Sequence, residues 1–165
     1  MATEIERKFL LKNDSWRHGA KGMQVRQGYL CTDIERTARV RTVGNNGFLT
    51  IKGKSKGAAR REFEYAIPLT DANTMLEELC KKPLIEKKRY KIEYGGFIWE
   101  VDEFYGENEG LILVEVELEH ENQELSFPDW VGREVTGDPK YFNANLIEHP
   151  YKTWGRTYSK QKEKN

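Results

Sequence analysis

Short segments in which charged and apolar residues alternate recur along this chain. The first is Glu4-Ile5-Glu6-Arg7-Lys8-Phe9. Residues two apart in a β-strand point to the same face, so this segment would place two carboxylates and one ammonium group side by side. Alternation with a period of two is typical of strands rather than helices. The segment therefore predicts a strand with one charged face and one mostly apolar face.

The same alternation predicts eight strands joined mainly by short turns. They are expected at residues 3–11, 23–30, 36–43, 47–54, 60–67, 84–94, 97–104 and 111–119. Gly44-Asn45-Asn46-Gly47 and Gly95-Gly96 are strong hairpin-turn signals, because glycine and asparagine tolerate the backbone of tight turns. The short connections indicate a largely antiparallel α+β architecture. They also permit closure into a barrel, which periodicity alone does not establish.

Helices are expected in the longer connections. One begins at Thr70 or Asp71, both favourable N-cap residues, and ends near residue 82, before Pro83. A last helix opens at Asp138-Pro139 and reaches Leu146 or beyond, because proline is favoured in the first turn of a helix. Short helices or loops are expected at residues 13–20 and 121–131.

Length and charge limit the class of protein. The 165 residues are expected to form one domain over residues 1–158, followed by a flexible tail at 159–165. The 27 acidic and 27 basic residues cancel, so the chain lacks the basic footprint of a nucleic-acid-binding or membrane-binding protein. The position of each sign of charge is therefore more informative than the total.

Cysteine usage and hydropathy predict a cytoplasmic protein. Cys31 and Cys80 have no CxxC spacing and are expected to be free thiols in a reducing compartment. No apolar run approaches the roughly 20 residues that span a bilayer. The beginning of the chain also lacks the apolar segment of a signal peptide.

Whole strands carry charges of one sign on their polar face. The basic pairs are Arg39 with Arg41 and Lys87 with Arg89, and the acidic pairs are Glu4 with Glu6, Glu62 with Glu64 and Glu115 with Glu117. The ordinary alternative is a sheet with one face in water, but such faces usually mix charged and neutral side chains. Like charges two apart repel each other. A linear polyphosphate would relieve the basic strands, and Mg²⁺ or Mn²⁺ would relieve the acidic ones.

Two other signals are excluded by their spacing. Gly53-Lys54-Ser55 lacks the glycine that a P-loop needs five positions earlier, where Phe48 stands, and no helix is expected to follow it. The three histidines lie far apart without metal-ligand spacing, which argues against a zinc site.

The charged elements resemble those of one known family. Glu4-Ile5-Glu6-Arg7-Lys8 is similar to the ExExK signature of the CYTH, or triphosphate tunnel metalloenzyme, superfamily. The other similar elements, in the family's order, are Arg39-Val40-Arg41, Thr50-Ile51-Lys52-Gly53, Arg61-Glu62-Phe63-Glu64, Lys87-Lys88-Arg89-Tyr90, Val101-Asp102-Glu103-Phe104 and Val114-Glu115-Val116-Glu117. Residues 134–146 resemble the C-terminal element of small bacterial members. The resemblance covers about residues 2–150.

The resemblance implies an eight-stranded antiparallel β-barrel that forms a tunnel, with a charged interior and helices packed outside. Members cleave or rearrange triphosphates, and this short form is most similar to inorganic triphosphatases (tripolyphosphatases). Open alternatives are a nucleoside or thiamine triphosphatase, a class IV-type adenylyl cyclase and a non-catalytic polyphosphate- or nucleotide-binding module. The expected partner is a small-molecule triphosphate. Neither nucleic acid nor a membrane is expected as a partner, and the formation of a homodimer is left as an open alternative.

The resemblance also implies roles for the charged side chains. The candidates for phosphate binding are Lys8, Arg39, Arg41, Lys52, Lys87 and Arg89, with Arg26 as a further candidate. The candidates for metal binding are Glu4, Glu6, Asp102, Glu115 and Glu117. The candidates for catalysis are Lys8, Glu4, Glu6, Glu62 and Glu64, and the last two are also expected either to hold basic neighbours or to bind metal through water. Two ions, Mg²⁺ or Mn²⁺, are implied: one orients the triphosphate and the other activates water.

Overall fold

The computed structural model describes residues 3–154, so the flexible tail predicted at 159–165 lies outside the described residues. The strands are β1 (Thr3–Leu11), β2 (Gly22–Asp33), β3 (Arg36–Val43), β4 (Asn46–Gly53), β5 (Ala59–Ile67), β6 (Ile85–Tyr94), β7 (Phe97–Tyr105), β8 (Ile112–Glu117) and β9 (Val131–Glu134). The helices are α1 (Leu69–Glu78) and α2 (Asn145–Glu148), with a further helical turn at residues 151–154. Short 3-10 turns cover Ser15–Arg17, Gly106–Asn108 and Pro139–Tyr141.

Eight of these strands form a closed antiparallel ring. Its order is β5-β4-β3-β2-β6-β7-β8-β1, and pairing of Thr3 with Arg61 joins β1 back to β5. Both predicted hairpin turns are present, and Gly44, Gly95 and Gly96 have positive φ angles there. The predicted eight-stranded architecture is confirmed. The short strand β9 was not predicted; it pairs with the end of β1, beside the point of closure.

The hydrophobic core lies mainly outside the ring, because the apolar faces of the strands point outward. Phe9, Trp99 and Val114 belong to one buried cluster, which Trp16 and Trp130 cover from connecting segments. On the opposite side, Ala72 and Leu76 of α1 pack against Val40 of β3. Most strands thus bury their apolar face against a helix or loop and turn their charged face inward, whereas Phe63 and Tyr65 on the outer face of β5 stay exposed.

One end of the ring is filled by the C-terminal segment. Ile85, Phe104 and Leu113 point inward, since each lies two residues from an inward-facing charged side chain. They form a buried cluster with Tyr141 and Leu146. Apolar packing therefore closes part of this end.

The two predicted helices differ from the observed ones. Helix α1 begins at Leu69 without a side-chain cap and ends at Glu78, earlier than expected, because the chain turns toward β2 and the Lys81 amide donates to the Tyr29 carbonyl at 2.9 Å. The predicted C-terminal helix is wrong. Pro139–Tyr141 forms a 3-10 turn and Phe142 has extended backbone, which separates this turn from α2.

No helix among residues 3–154 is both long enough and apolar enough to cross a membrane.

Trp99→Ala should destabilise the protein strongly, because Trp99 is 0% exposed and lies at the centre of the outer core. The expected loss in the free energy of unfolding is about 3–5 kcal/mol, measured by urea denaturation. Leu79→Ala is the control, since Leu79 is 64% exposed, and it should change that free energy by less than about 0.5 kcal/mol. Equal losses in the two variants would contradict this account of the core.

Candidate functional site

A cavity of about 450 Å³ occupies the interior of the ring. Its walls come from the strands of the ring, from residues 54–58 between β4 and β5, and from the C-terminal segment. The predicted site residues that line it are Glu4, Glu6, Lys8, Arg39, Arg41, Lys52, Glu62, Glu64, Arg89, Glu115 and Glu117. The ring therefore brings together residues that are more than 100 positions apart in the sequence.

On one side of the cavity, basic residues of β3 and β4 meet carboxylates of β1 and β5. Lys52 Nζ lies 2.9 Å from Glu4 Oε1 and 3.4 Å from Glu62 Oε2. Arg41 Nη2 lies 3.0 Å from Glu64 Oε1. Glu62 and Glu64 thus hold basic neighbours, as expected. Each charged strand in this wall contacts a strand of opposite sign.

Lys8 occupies the opposite side, between β8 and the C-terminal segment. Its Nζ lies 3.7 Å from Glu115 Oε1 and donates to the Tyr141 carbonyl at 3.3 Å. The Phe142 ring lies 5.8 Å from the same ammonium group. The backbone amide of Lys8 donates to Thr136 Oγ1 at 2.9 Å. The C-terminal segment therefore fixes both the backbone and the side chain of Lys8.

Three predicted residues do not line the cavity. Lys87 and Asp102 are buried beneath its wall, with Lys87 Nζ 2.8 Å from Asp102 Oδ2. Their predicted roles as a phosphate ligand and a metal ligand disagree with this placement, because each charge is already neutralised by protein. Arg26 lies on the outer face of β2, 4.0 Å from Glu86. Before the bulge between Tyr29 and Cys31, the inward face of that strand carries the odd-numbered residues, such as Tyr29.

Several polar atoms at the cavity are buried without a hydrogen-bond partner. Among the residues that the structure describes, they include Arg39 Nε, Arg41 Nε and Asn143 Oδ1. Buried polar atoms are normally paired, so these positions can accept hydrogen bonds from or donate them to a bound molecule. The two guanidinium groups can serve an oxyanion.

Comparison with known proteins identifies the family. The sequence model of the CYTH domain family matches residues 2–151. The chain belongs to the CYTH domain family. An inorganic triphosphatase of Acetivibrio thermocellus is 53% identical over 154 residues, covering 93% of this chain and 99% of the relative. An inorganic triphosphatase of Nitrosomonas europaea is 38% identical over 150 residues, covering 87% and 96%. The crystal structure of the inorganic triphosphatase NE1496 aligns with a TM-score of 0.64 and 36% identity, covering 89% and 95%.

Two neighbouring glutamates of this CYTH protein have opposite pKa shifts. Burial, followed by the charges of Glu115 and Glu4, raises the pKa of Glu6 to about 8. Burial also opposes ionisation of Glu115, but the nearby charges of Lys8 and Arg89 outweigh it and lower its pKa. At neutral pH, Glu6 therefore holds a proton beside an ionised Glu115.

The acidic residues suit a divalent cation. CYTH membership implies dependence on a divalent metal. Carboxylate oxygens are the ligands that hard cations such as Mg²⁺ prefer, and a cation beside Glu6 would favour the charged form that burial now disfavours. Within residues 3–154, no three acidic, histidine or cysteine side chains already converge on one metal position. Glu4, for example, forms an ion pair with the Lys52 ammonium group.

Several residues of the cavity wall were not predicted from the sequence as site residues. Glu100 lines the cavity, and its alternation with Asp102 was a usable signal, since both share one face of β7. Thr136, Phe142 and Asn143 also line it. These three lie in a segment without strand periodicity, so no pattern marked them as site residues.

In metal-free protein, the free energy of unfolding should fall as pH rises from about 5 to 8. The pKa of Glu6 is raised in the folded state, so the folded protein binds more protons than the unfolded chain in this interval, and stability declines with pH. Urea denaturation in the presence of a chelator measures the slope. Glu6→Gln has no carboxyl to titrate and should show a flatter profile, whereas an unchanged slope would rule out Glu6 as its source.

Proposed function

We propose that this CYTH protein hydrolyses inorganic triphosphate to pyrophosphate and phosphate inside the ring. The observation that carries the proposal is the cavity itself, in which arginines and lysines face a set of carboxylates within one enclosed space. A polyanion alone would need only the cations, and a metal alone would need only the acids. A triphosphate bound with a metal uses both.

The chemistry of the substrate supports this assignment. Phosphoryl transfer depends mainly on positioning and charge neutralisation rather than on covalent catalysis. Arg39 and Arg41 offer planar groups that can contact phosphate oxygens at two points, and Lys52 adds a third positive charge from the neighbouring strand. Two relatives named inorganic triphosphatase match nearly their whole length, which favours inorganic triphosphate over organic triphosphates.

The metal is proposed to be Mg²⁺ or Mn²⁺, with two ions bound. The residues that would hold them are Glu4, Glu6, Glu115 and Glu117. Such ions orient a triphosphate and lower the pKa of bound water. Glu4 would exchange its contact with Lys52 for the metal, which would free the Lys52 ammonium group for phosphate.

Lys8 is proposed to donate to a substrate oxygen. Its ammonium group is fixed between Glu115 and the Tyr141 carbonyl, so little rotamer freedom is lost when a ligand binds. From this position it can neutralise charge that develops on the leaving group. Glu62 and Glu64 orient Lys52 and Arg41 through their ion pairs.

A cytoplasmic location is part of the same proposal. Cys31 and Cys80 are free thiols, which is the usual state in a reducing compartment. Only a small-molecule substrate is required as a partner.

Phosphate release tests the proposed reaction directly. Tripolyphosphate, ATP and thiamine triphosphate are each supplied with Mg²⁺ or Mn²⁺, and kcat/KM should be highest for tripolyphosphate. EDTA should abolish release, and added metal should restore it. Binding of tripolyphosphate without release would favour the binding module, and turnover that persists in EDTA would exclude the proposed role of the carboxylates.

Arg39→Ala should lower kcat/KM for tripolyphosphate by roughly 100-fold or more, because a fixed charged donor is lost from a water-poor site. Arg36→Ala is the matched control on the same strand, since Arg36 is exposed and pairs with Asp33 outside the cavity. That variant should retain full activity. Circular dichroism checks that both variants keep the fold, and equal kcat/KM values would contradict the assigned role of Arg39.

A further inference from the structure

Asp102 lies directly beneath the cavity wall, beside Arg89. Its side chain is only 1% exposed, whereas Arg89 reaches the cavity. The pairing of β6 with β7 places the two residues opposite each other, and both side chains point into the ring. They meet at the floor of the cavity, where the buried carboxylate supports the guanidinium group that lines the cavity.

Both carboxylate oxygens of Asp102 are occupied by cationic donors. Arg89 donates from Nε to Oδ1 at 2.7 Å and from Nη2 to Oδ2 at 2.8 Å. Lys87 Nζ donates to Oδ2 at 2.8 Å. A two-point contact of this kind fixes the plane of a guanidinium group. Within residues 3–154, the remaining group, Nη1, has a single long contact of 3.4 Å, with Glu100, and stays available on the other edge of the fork.

A metal ion at Asp102 would meet strong opposition. It would lie against two positive groups, and it could reach the carboxylate only by displacing Lys87 or Arg89. Either cation would then be buried without its partner, which is strongly unfavourable. Arg89 and Lys87 also lower the pKa of Asp102 despite its burial, so its charge needs no metal.

We propose that Asp102 is a positioning residue that holds Arg89 against a phosphate group of the substrate, with Lys87 as its buried counter-ion. Asp102 itself touches neither substrate nor metal. The inference rests on the proposed function, because it takes tripolyphosphate as the ligand that Arg89 contacts. It replaces the metal-binding role that the sequence suggested for Asp102.

A double-mutant cycle separates positioning from a general structural role. Asp102→Asn should weaken tripolyphosphate binding roughly 10- to 100-fold, because Arg89 loses its anchor and is free to turn toward Glu100 and Glu115. In the Arg89→Ala background, the same substitution should change the dissociation constant by no more than about twofold, since the group it acts through is gone. Titration calorimetry in the presence of EDTA measures these constants, since no turnover is expected without metal. Additive losses would overturn the proposal.

Metal titration tests the alternative that Asp102 is a ligand. The half-activating Mn²⁺ concentration of Asp102→Asn should stay within about twofold of the wild-type value, because no metal contact is lost. Glu117→Gln, on the acidic side of the cavity, should raise it by roughly tenfold. An equal rise in Asp102→Asn would show that Asp102 binds metal and would overturn the proposal.

Two further variants control for misfolding. Lys87→Met combined with Asp102→Asn removes both buried charges together, and it should fold and bind tripolyphosphate as weakly as Asp102→Asn alone. Recovery of wild-type affinity in that double variant would count against positioning. Glu103→Gln changes the next residue of β7, which pairs with Arg17 outside the ring, and it should bind like the wild type. If the wild-type protein binds tripolyphosphate but does not hydrolyse it, the proposed function is wrong. The double-mutant binding cycle would still decide the role of Asp102.

Discussion

Charges of both signs are enclosed in one ring, and the rest of the structure depends on their mutual neutralisation. An ionised side chain is stable in a partly dry interior only if it is paired, hydrated or bound to an ion. Strands one or two places apart around the ring supply the pairing here: Lys52 of β4 lies against Glu62 of β5 and Glu4 of β1, and Lys8 of β1 lies against Glu115 of β8. The order of strands around the ring therefore decides which charges meet.

Turning the charged faces inward forces the apolar faces outward, so the protein needs covering segments. Trp16 and Trp130 lie in connections between strands and complete the outer core, and α1 covers β3 on the other side. These segments bury much of the apolar surface that faces outward from the ring. A small barrel whose interior is filled by its own apolar side chains would need no such layer, but it would also have no space for a ligand.

Except for Arg26, periodicity predicted correctly which charged side chains point into the ring, but it carried no information on how deep each one lies. Lys87, Arg89 and Asp102 were all assigned to ligand binding, and all three do point into the ring. Only Arg89 reaches the cavity, because Phe104 and the C-terminal segment fill the end of the ring beside the other two. That segment has no repeating pattern, so neither its course nor the contact of Tyr141 with Lys8 could be predicted. The boundaries of α1 likewise depend on a tertiary hydrogen bond, from Lys81 to Tyr29.

The charged residues that point into the ring fall into two classes according to how deep they lie. At the floor, Asp102 is held by two cations, and its two-point contact fixes Arg89 in place. This group of three carries one excess positive charge. Around Glu6, carboxylates outnumber their cationic partners, and burial with neighbouring negative charge raises the pKa of Glu6 to about 8. Glu115 lies between them, near Arg89 and Lys8, and its charge helps to raise the pKa of Glu6. The floor of the cavity thus carries an excess of positive charge, and the wall around Glu6 carries an excess of negative charge. An anion is favoured at one end and a cation at the other, so the protein can orient an asymmetric pair of ligands before any catalytic contact forms.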